Sequence, residues 1–210
     1  MAGFLGCSDA GNESGVAGSG GSAGSGGEAG GGGEAGGGGE AGGGGEGGAG
    51  GGHSEWRVFL TNTAHTADLG GIAGADEICA EQAAAASLEG VYKAWLSTKD
   101  SAVADRVVHA TGPYILVDDT VVAEDWDDLV DGSILAAINL DAGGVPRPGE
   151  AWTGTLSTGE PYPMDDCEGF TTDSALEEAL CGDSASTSAT WTENITPSCD
   201  TRLRLYCIQQ

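Results

Sequence analysis

Two cysteine-bearing segments constrain the fold of this chain more than any other feature. Residues 71–79 (Gly-Ile-Ala-Gly-Ala-Asp-Glu-Ile-Cys) have the pattern of a loop that opens a helix, with Cys79 on the helix. Residues 199–207 (Cys-Asp-Thr-Arg-Leu-Arg-Leu-Tyr-Cys) are typical of a closing strand with a cysteine at each end. A bridge from that helix to that strand would tie the two ends of one domain together. The pattern predicts an exported, disulfide-built module.

The six cysteines of the chain favour disulfides over zinc. The sequence has no Cys-x-x-Cys pair, and His53, His65 and His109 are not spaced as ligands beside any cysteine. Disulfides imply an oxidising compartment. No apolar run approaches the roughly 18 residues of a membrane-spanning helix, so none is predicted.

The charge of the chain excludes some partners. Its 210 residues hold 33 acidic and 7 basic side chains, a formal net charge of −26. Such a surface repels phosphate backbones and sulfated polysaccharides, so we expect neither nucleic acid nor heparin as a partner. The ordinary interpretation of the charge is solubility, and the alternative is a cation-binding surface.

The N-terminal quarter of the chain has a composition typical of a flexible linker and lacks the apolar side chains of a hydrophobic core. Residues 8–54 consist mostly of Gly, Ala, Ser and Glu, and Glu-Ala-Gly-Gly-Gly-Gly repeats from Glu28, Glu34 and Glu40. No repeat contains an apolar side chain large enough to pack, so nothing offsets the ordering entropy of glycine. We predict a disordered, flexible tether.

Residues 1–7 suggest how the tether is held. The stretch Gly3-Phe-Leu-Gly-Cys7, followed by a polar low-complexity segment, resembles the lipobox of bacterial lipoproteins. In that class the cysteine is lipidated and becomes the mature N-terminus. The resemblance implies lipidation of Cys7 and a lipid anchor at the outer surface of the cell envelope. The alternative is a stray cysteine in a disordered head.

Residues 55–210 have the composition of one α+β domain. We expect Trp95, Trp126 and Trp152 in its core, because burial is the default role of a large aromatic side chain. Residues 156–198 are rich in Gly, Pro, Ser, Thr and Asp and predict a long loop. The predicted elements, in chain order, are strand 57–61, helix 75–88, strand 91–97, a short helix within 101–109, strands 113–117 and 120–122, a helical turn at 125–130, and strands 138–140 and 151–153.

The order of these elements, together with several local motifs, resembles a known family. The motifs are residues 71–79, 82–83, 88–90, 94–97, 126–129, 151–154, 167–171 and 199–208. In this order they are similar to endostatin, the C-terminal domain of certain animal collagens, and to bacterial domains of unknown function that share its fold. The resemblance implies a C-type-lectin-like fold, with a twisted, mostly antiparallel sheet, one main helix and nested disulfides.

The resemblance also implies how the cysteines pair. Carried over position by position, the bridges are Cys79–Cys207 and Cys167–Cys199. Cys181 is then left over, either free and buried or exchanging with a neighbour in the same loop. The zinc-binding histidines and the arginine-rich heparin surface of the animal proteins have no counterpart here.

A second resemblance concerns calcium. Sugar-binding C-type lectins hold calcium with a Glu-Pro-Asn-like loop and a later Trp-Asn-Asp-like strand. Similar stretches here offer hard oxygen ligands from Glu160, Asp165, Asp166, Glu193 and Asn194. The alternative is that these are solvated loop acids. Another acidic group is expected to serve turns and helix starts; it comprises Asp118, Asp119, Asp125, Asp127, Asp128 and Asp131.

These patterns predict a cell-surface lipoprotein whose endostatin-like domain binds or adheres to an extracellular protein or glycan. No cofactor is expected beyond possible calcium, and no catalysis. One alternative is a calcium-dependent carbohydrate-binding module. Another is a hydrolase using paired carboxylates such as Asp165 and Glu193.

Overall fold

The last strand of the chain lies at the centre of the fold. The structure is a computed structural model, and it describes residues 54–210. The predicted lipidation site Cys7 and the predicted tether up to residue 53 lie outside the described residues. The described part is a mixed α+β fold with a curled sheet and two disulfides.

The described residues form seven strands, three right-handed α-helices and one left-handed helical turn, which is labelled α4. Helices α1 to α4 span Gly71–Ala85, Val103–Arg106, Trp126–Leu129 and Cys167–Phe170, and a 3-10 helix spans Ala189–Trp191. Strands β1 to β7 span Trp56–Leu60, Tyr92–Ala94, Tyr114–Ile115, Val121–Ala123, Glu150–Trp152, Cys181–Asp183 and Arg204–Gln209.

Strand β7 organises the sheet because it pairs with three other strands. It runs antiparallel to β1, with Phe59 opposite Cys207, and antiparallel to β2, with Ala94 opposite the same Cys207. Its N-terminal end pairs in parallel with β5, where Trp152 lies opposite Leu205. The strand order is β4-β3-β1-β7-β5-β6, with β2 on the second edge of β7. Four of the six pairings are antiparallel.

Two core clusters cover the opposite faces of this sheet. Successive strand residues point to opposite faces, and successive residues of β7 accordingly alternate between the clusters. The tryptophan layer holds Tyr206 and Ile208 of β7 together with Trp95, Trp126 and Trp191. The helix layer holds the buried face of α1; its members include Phe59, Ala75, Cys79, Ala83, Trp152, Phe170, Leu205 and Cys207.

Helix α1 begins and ends earlier than predicted. It was expected over residues 75–88 and spans Gly71–Ala85. Gly70, at φ 76°, forms the N-cap in a left-handed conformation that glycine adopts without strain. Gly74 fits because a Cβ there would overlap the carbonyl oxygen of Leu69. The buried positions Ala75, Cys79 and Ala83 recur every four residues, which is one face of a helix.

Several other predictions were confirmed. Strands β1, β2 and β5 and the β3–β4 hairpin lie within a few residues of their predicted positions. Trp95, Trp126 and Trp152 are all buried, as expected. The predicted short helices correspond to α2 and α3.

Three element predictions were wrong. Residues 138–140 form no extended strand: Leu140 makes only an isolated β-bridge with Pro146, around the turn in which Asp141 accepts from Gly143 N and Val145 N. Residues 156–198 are not simply a loop, since they contain α4, β6 and the 3-10 helix. The closing strand begins at Arg204 rather than at Cys199, because Cys199 lies within a turn that is closed by the hydrogen bond from Thr201 N to Ser198 O.

Both disulfides implied by the resemblance are present. Cys79–Cys207 links α1 to β7 across a separation of 128 residues, and Cys167–Cys199 spans 32 residues. Cys181 is free and buried in β6. Burial raises the pKa of its thiol to about 12, so the thiol stays protonated and unreactive at neutral pH.

Four buried hydroxyl side chains join the tryptophan-bearing segments. Thr192 Oγ1 accepts from the indole N–H of Trp95 at 2.8 Å and donates to Thr155 O at 3.0 Å. Thr155 Oγ1 lies 2.9 Å from Ser97 Oγ, and Thr153 Oγ1 donates to Thr192 O at 2.6 Å. All four residues are fully buried, and this network satisfies polar groups that would otherwise be costly.

Candidate functional site

The five residues considered for calcium have different local roles. Asp166 is buried, and its carboxylate accepts from Lys99 N at 3.0 Å and from Gly169 N at 3.1 Å. Glu193 is half-buried and accepts from Ser157 N at 2.8 Å. The remaining three are exposed; they are Glu160, Asp165 and Asn194.

Two of those acids therefore already serve the fold. Burial alone would raise the pKa of Asp166, but hydrogen bonds from Lys99 and Gly169 outweigh it and hold that pKa below its ordinary value. Among residues 54–210, no group of three or more histidine, cysteine, aspartate or glutamate side chains is arranged to hold a metal ion.

The second acidic group does what the sequence predicted at most of its positions. Asp125 caps α3 by accepting from Asp128 N at 3.0 Å, and Asp131 accepts from Ser133 N at 3.0 Å. Asp118 accepts from Thr120 N, and hydrogen bonds to Thr120 hold the pKa of Asp118 below its usual value. These are turn and helix-start contacts.

Asp127 is the member of that group with a different setting. It lines a groove of about 250 Å³ together with His109, Ala110, Thr111, Asp125 and Trp126, here called the aromatic groove. The exposed carboxylate of Asp127 has no hydrogen bond or ion pair among residues 54–210. We take the aromatic groove as the candidate binding site.

A stacked pair of rings forms one wall of the aromatic groove. The ring centroids of His109 and Trp126 lie 3.9 Å apart with an interplanar angle of 5°. The indole is held from behind by Trp95, at a centroid distance of 5.9 Å. Trp126 is only 8 % exposed, so its position is fixed by the core rather than by solvent-facing contacts.

The hydrogen bond of His109 defines what its ring offers to a ligand. Its Nε2 lies 2.7 Å from Ala104 O, and because a carbonyl oxygen can only accept, Nε2 carries the proton. In the neutral ring Nδ1 is then an acceptor. The groove thus combines an imidazole ring, two carboxylates and the edge of a buried indole.

The sequence flagged Asp125, Asp127 and Trp126 but not their relation to His109. The histidine lies beyond α2 and reaches the indole only through the tertiary fold. No local sequence pattern predicts this stack, because the two residues are far apart in the sequence and meet only in the folded domain.

A second, smaller depression lies between the C-terminal end of α1 and the turn at Asp141. It measures about 230 Å³ and is lined by small apolar side chains and polar groups, among them Asn62, Gln82 and Asp141. Gln82 is used internally, since it accepts from Asn62 N at 2.7 Å and donates to Thr63 Oγ1 at 2.9 Å. Asp141 is held by the turn described above. This depression offers fewer free groups than the aromatic groove.

The basic side chains are largely committed to internal contacts. Four of the seven form ion pairs: Arg57–Asp119, Lys99–Asp166, Arg106–Asp76 and Arg147–Asp141. No lysine or arginine lines the aromatic groove. Most acidic side chains of the described part are exposed, so its surface is strongly negative.

Comparison with known proteins adds no relative. No protein-family model matches the chain, and no curated protein matches it at a significant level.

Among the described residues, no helix is both long and apolar enough to cross a membrane. The two disulfides indicate an extracellular or secreted protein.

Proposed function

We propose that the protein is an exported, cell-surface binding or adhesion domain, anchored by a lipid on Cys7 and held away from the envelope by residues 8–54. The observation that carries the export part is the pair of disulfides, because such bonds persist in oxidising compartments. The long glycine-rich segment would let the domain reach a partner beyond the surface.

We further propose that the domain has the endostatin-like variety of the C-type-lectin-like fold. The support is its central last strand, its one long helix and the bridge that joins the two. In this proposal the aromatic groove is the contact region for the ligand. Its support is the combination of a concave surface with unused hydrogen-bonding capacity, above all the exposed carboxylate of Asp127.

The test of this proposal is location and redox state in the producing cell. Alkylation of natively isolated protein before mass spectrometry should show Cys79, Cys207, Cys167 and Cys199 oxidised and Cys181 free. Protease added to intact cells should remove the domain, and Cys7→Ser should release it from the membrane fraction. Finding the four thiols reduced, or the domain protected from protease, would overturn the proposal.

A calcium titration separates this proposal from the lectin alternative. We expect no change in melting temperature at millimolar calcium, because Asp166 and Glu193 are already held by protein hydrogen bonds. A rise in melting temperature that disappears in Asp165→Asn would assign the calcium-dependent function instead.

A further inference from the structure

We propose that the aromatic groove binds a single positively charged side chain, a lysine or arginine, presented by a basic segment of a partner protein. The inference rests on the proposed function, since it names the partner class of a domain proposed to be a binding module. It is carried by the hydrogen-bonding groups, the size and the charge of the groove.

The free polar groups that surround the groove are mainly acceptors. His109 donates through Nε2 to Ala104 O, which leaves Nδ1 as an acceptor in the neutral ring. Asp127 has an unpaired carboxylate among the described residues, and Asp125 uses Oδ1 to accept from Asp128 N. Ammonium and guanidinium groups carry donors and no acceptor, so they complement this set.

Trp126 favours a ligand that also carries an acceptor. It lines the groove, it is 8 % exposed, and its indole N–H has no acceptor among residues 54–210. A polypeptide supplies a carbonyl oxygen within reach of each basic side chain, whereas a bare amine does not. The exposed ring of His109, which is held by stacking on Trp126, provides a surface for the aliphatic stem of a lysine or arginine.

The size of the groove limits the ligand to one side chain. Its volume of about 250 Å³ is below the roughly 300–1,000 Å³ of pockets that enclose drug-sized ligands. The remainder of a basic segment would lie along the surface outside the groove. There the excess of exposed carboxylates attracts further positive charge and speeds the encounter.

The experiment compares two doubly neutralised variants of the full chain. The groove variant is Asp125→Asn with Asp127→Asn; asparagine keeps the N-cap role of residue 125, so α3 should remain intact. The control variant is Glu81→Gln with Asp173→Asn, which removes the same charge from two exposed positions outside the groove. The probe is an end-blocked oligolysine peptide, titrated calorimetrically at low salt.

We expect the groove variant to bind oligolysine at least about fivefold more weakly than the wild type, and the control to change by less than about twofold. Equal losses in both variants would overturn the inference, because binding would then follow net charge alone. Absence of oligolysine binding by the wild-type chain would also overturn it. A chitosan oligomer that binds more tightly than oligolysine, and depends on the groove carboxylates, would replace the protein partner with an amino sugar.

These outcomes are independent of the test of export. A reduced or cytosolic chain could still bind oligolysine in the groove, and an exported chain could fail to bind it. Failure of the partner inference is therefore distinguishable from failure of the proposed function.

Discussion

The two faces of the central sheet are closed by different means. In the helix layer, α1 presents Ala75, Cys79 and Ala83 to the sheet, and all five cysteines of the described part lie in this cluster. In the tryptophan layer, Trp95, Trp126 and Trp191 pack against one another, and its buried cluster contains no cysteine.

The difference follows from how much apolar area α1 and the three tryptophans can each remove from water. An aromatic side chain buries about 150–250 Å² of surface, and an alanine side chain buries far less. Each Å² of apolar surface removed from water stabilises the fold by about 25 cal/mol. The alanine-rich sequence of α1 favours the helix itself but gives it little to bury. Phe59, Trp152 and Phe170 supply most of the apolar area of the helix layer, and the covalent bond at Cys79 adds to the small area that α1 itself can bury.

The largest expected effect is loss of the bridge between α1 and β7. Replacing Cys79 and Cys207 by alanine should lower the free energy of unfolding by about 5 kcal/mol, because the bridge spans 128 residues and restricts the unfolded chain accordingly. Denaturant titration of the folded fraction measures this loss.

The second bridge serves as the matched control. Replacing Cys167 and Cys199 by alanine should cost about 4 kcal/mol, since this bridge spans only 32 residues. If the shorter bridge proved the more important one, the view that α1 is held mainly by covalent closure would be wrong.

Deleting an indole tests the other layer. Trp95→Ala should lower the free energy of unfolding by about 4 kcal/mol, because it opens a cavity next to Trp126 and Trp191. Ala83→Gly, on the buried face of α1, should cost only about 1 kcal/mol. Chemical denaturation compares the two directly, and similar losses would contradict the contrast between the layers.

The sequence predicted most of the strands better than it predicted the connections between them. The predicted strand 91–97 contains β2, and its alternate residues Tyr92, Ala94 and Leu96 lie together in the helix layer, because strand side chains point to opposite sides in turn. The prediction of a strand at residues 138–140 was wrong. Ile138 and Leu140 are buried by packing in the tryptophan layer, and the chain turns at Asp141.

The left-handed turn of α4 could not be read from the sequence. Cys167, Glu168 and Phe170 have φ values of 53°, 54° and 61°, which are unfavourable for residues other than glycine. Surrounding contacts impose this conformation: the Cys167–Cys199 bond and the hydrogen bond of Asp166 with Gly169 N. The candidate groove was likewise predicted only in part: the sequence pointed to Asp125, Trp126 and Asp127, but the stack of His109 on Trp126 arises only in the tertiary fold.

A smaller loss is expected from the buried hydroxyl network behind the tryptophans. Thr192→Val keeps the shape of the side chain but leaves the Trp95 indole N–H without its acceptor and Thr155 O without its donor. The expected cost is about 2 kcal/mol in the free energy of unfolding. Thr158→Val, at an exposed position, should change it by less than about 0.5 kcal/mol and is the control.

The smallest effect is a pH dependence that reaches both layers. Asp166 adjoins Cys167 of the helix layer, and Asp141 follows Leu140 of the tryptophan layer. Burial opposes ionisation of both, but hydrogen bonds from backbone amides and from Lys99 or Arg147 prevail, so both pKa values lie below the ordinary value. The unfolded chain therefore takes up these protons first as the pH falls.

The sign of the effect follows from that order of protonation. The stabilisation is complete above the unfolded pKa of about 3.9 and is lost as the pH falls through the lower folded values. Asp141→Asn and Asp166→Asn should each cost about 1 kcal/mol at pH 7, since asparagine keeps one acceptor but loses the charge. Denaturant titrations from pH 7 to about pH 2.5 should show the gap between each variant and the wild type closing as the carboxylates are protonated. A gap that stayed constant across this range would mean that the two carboxylates act through shape and not through charge.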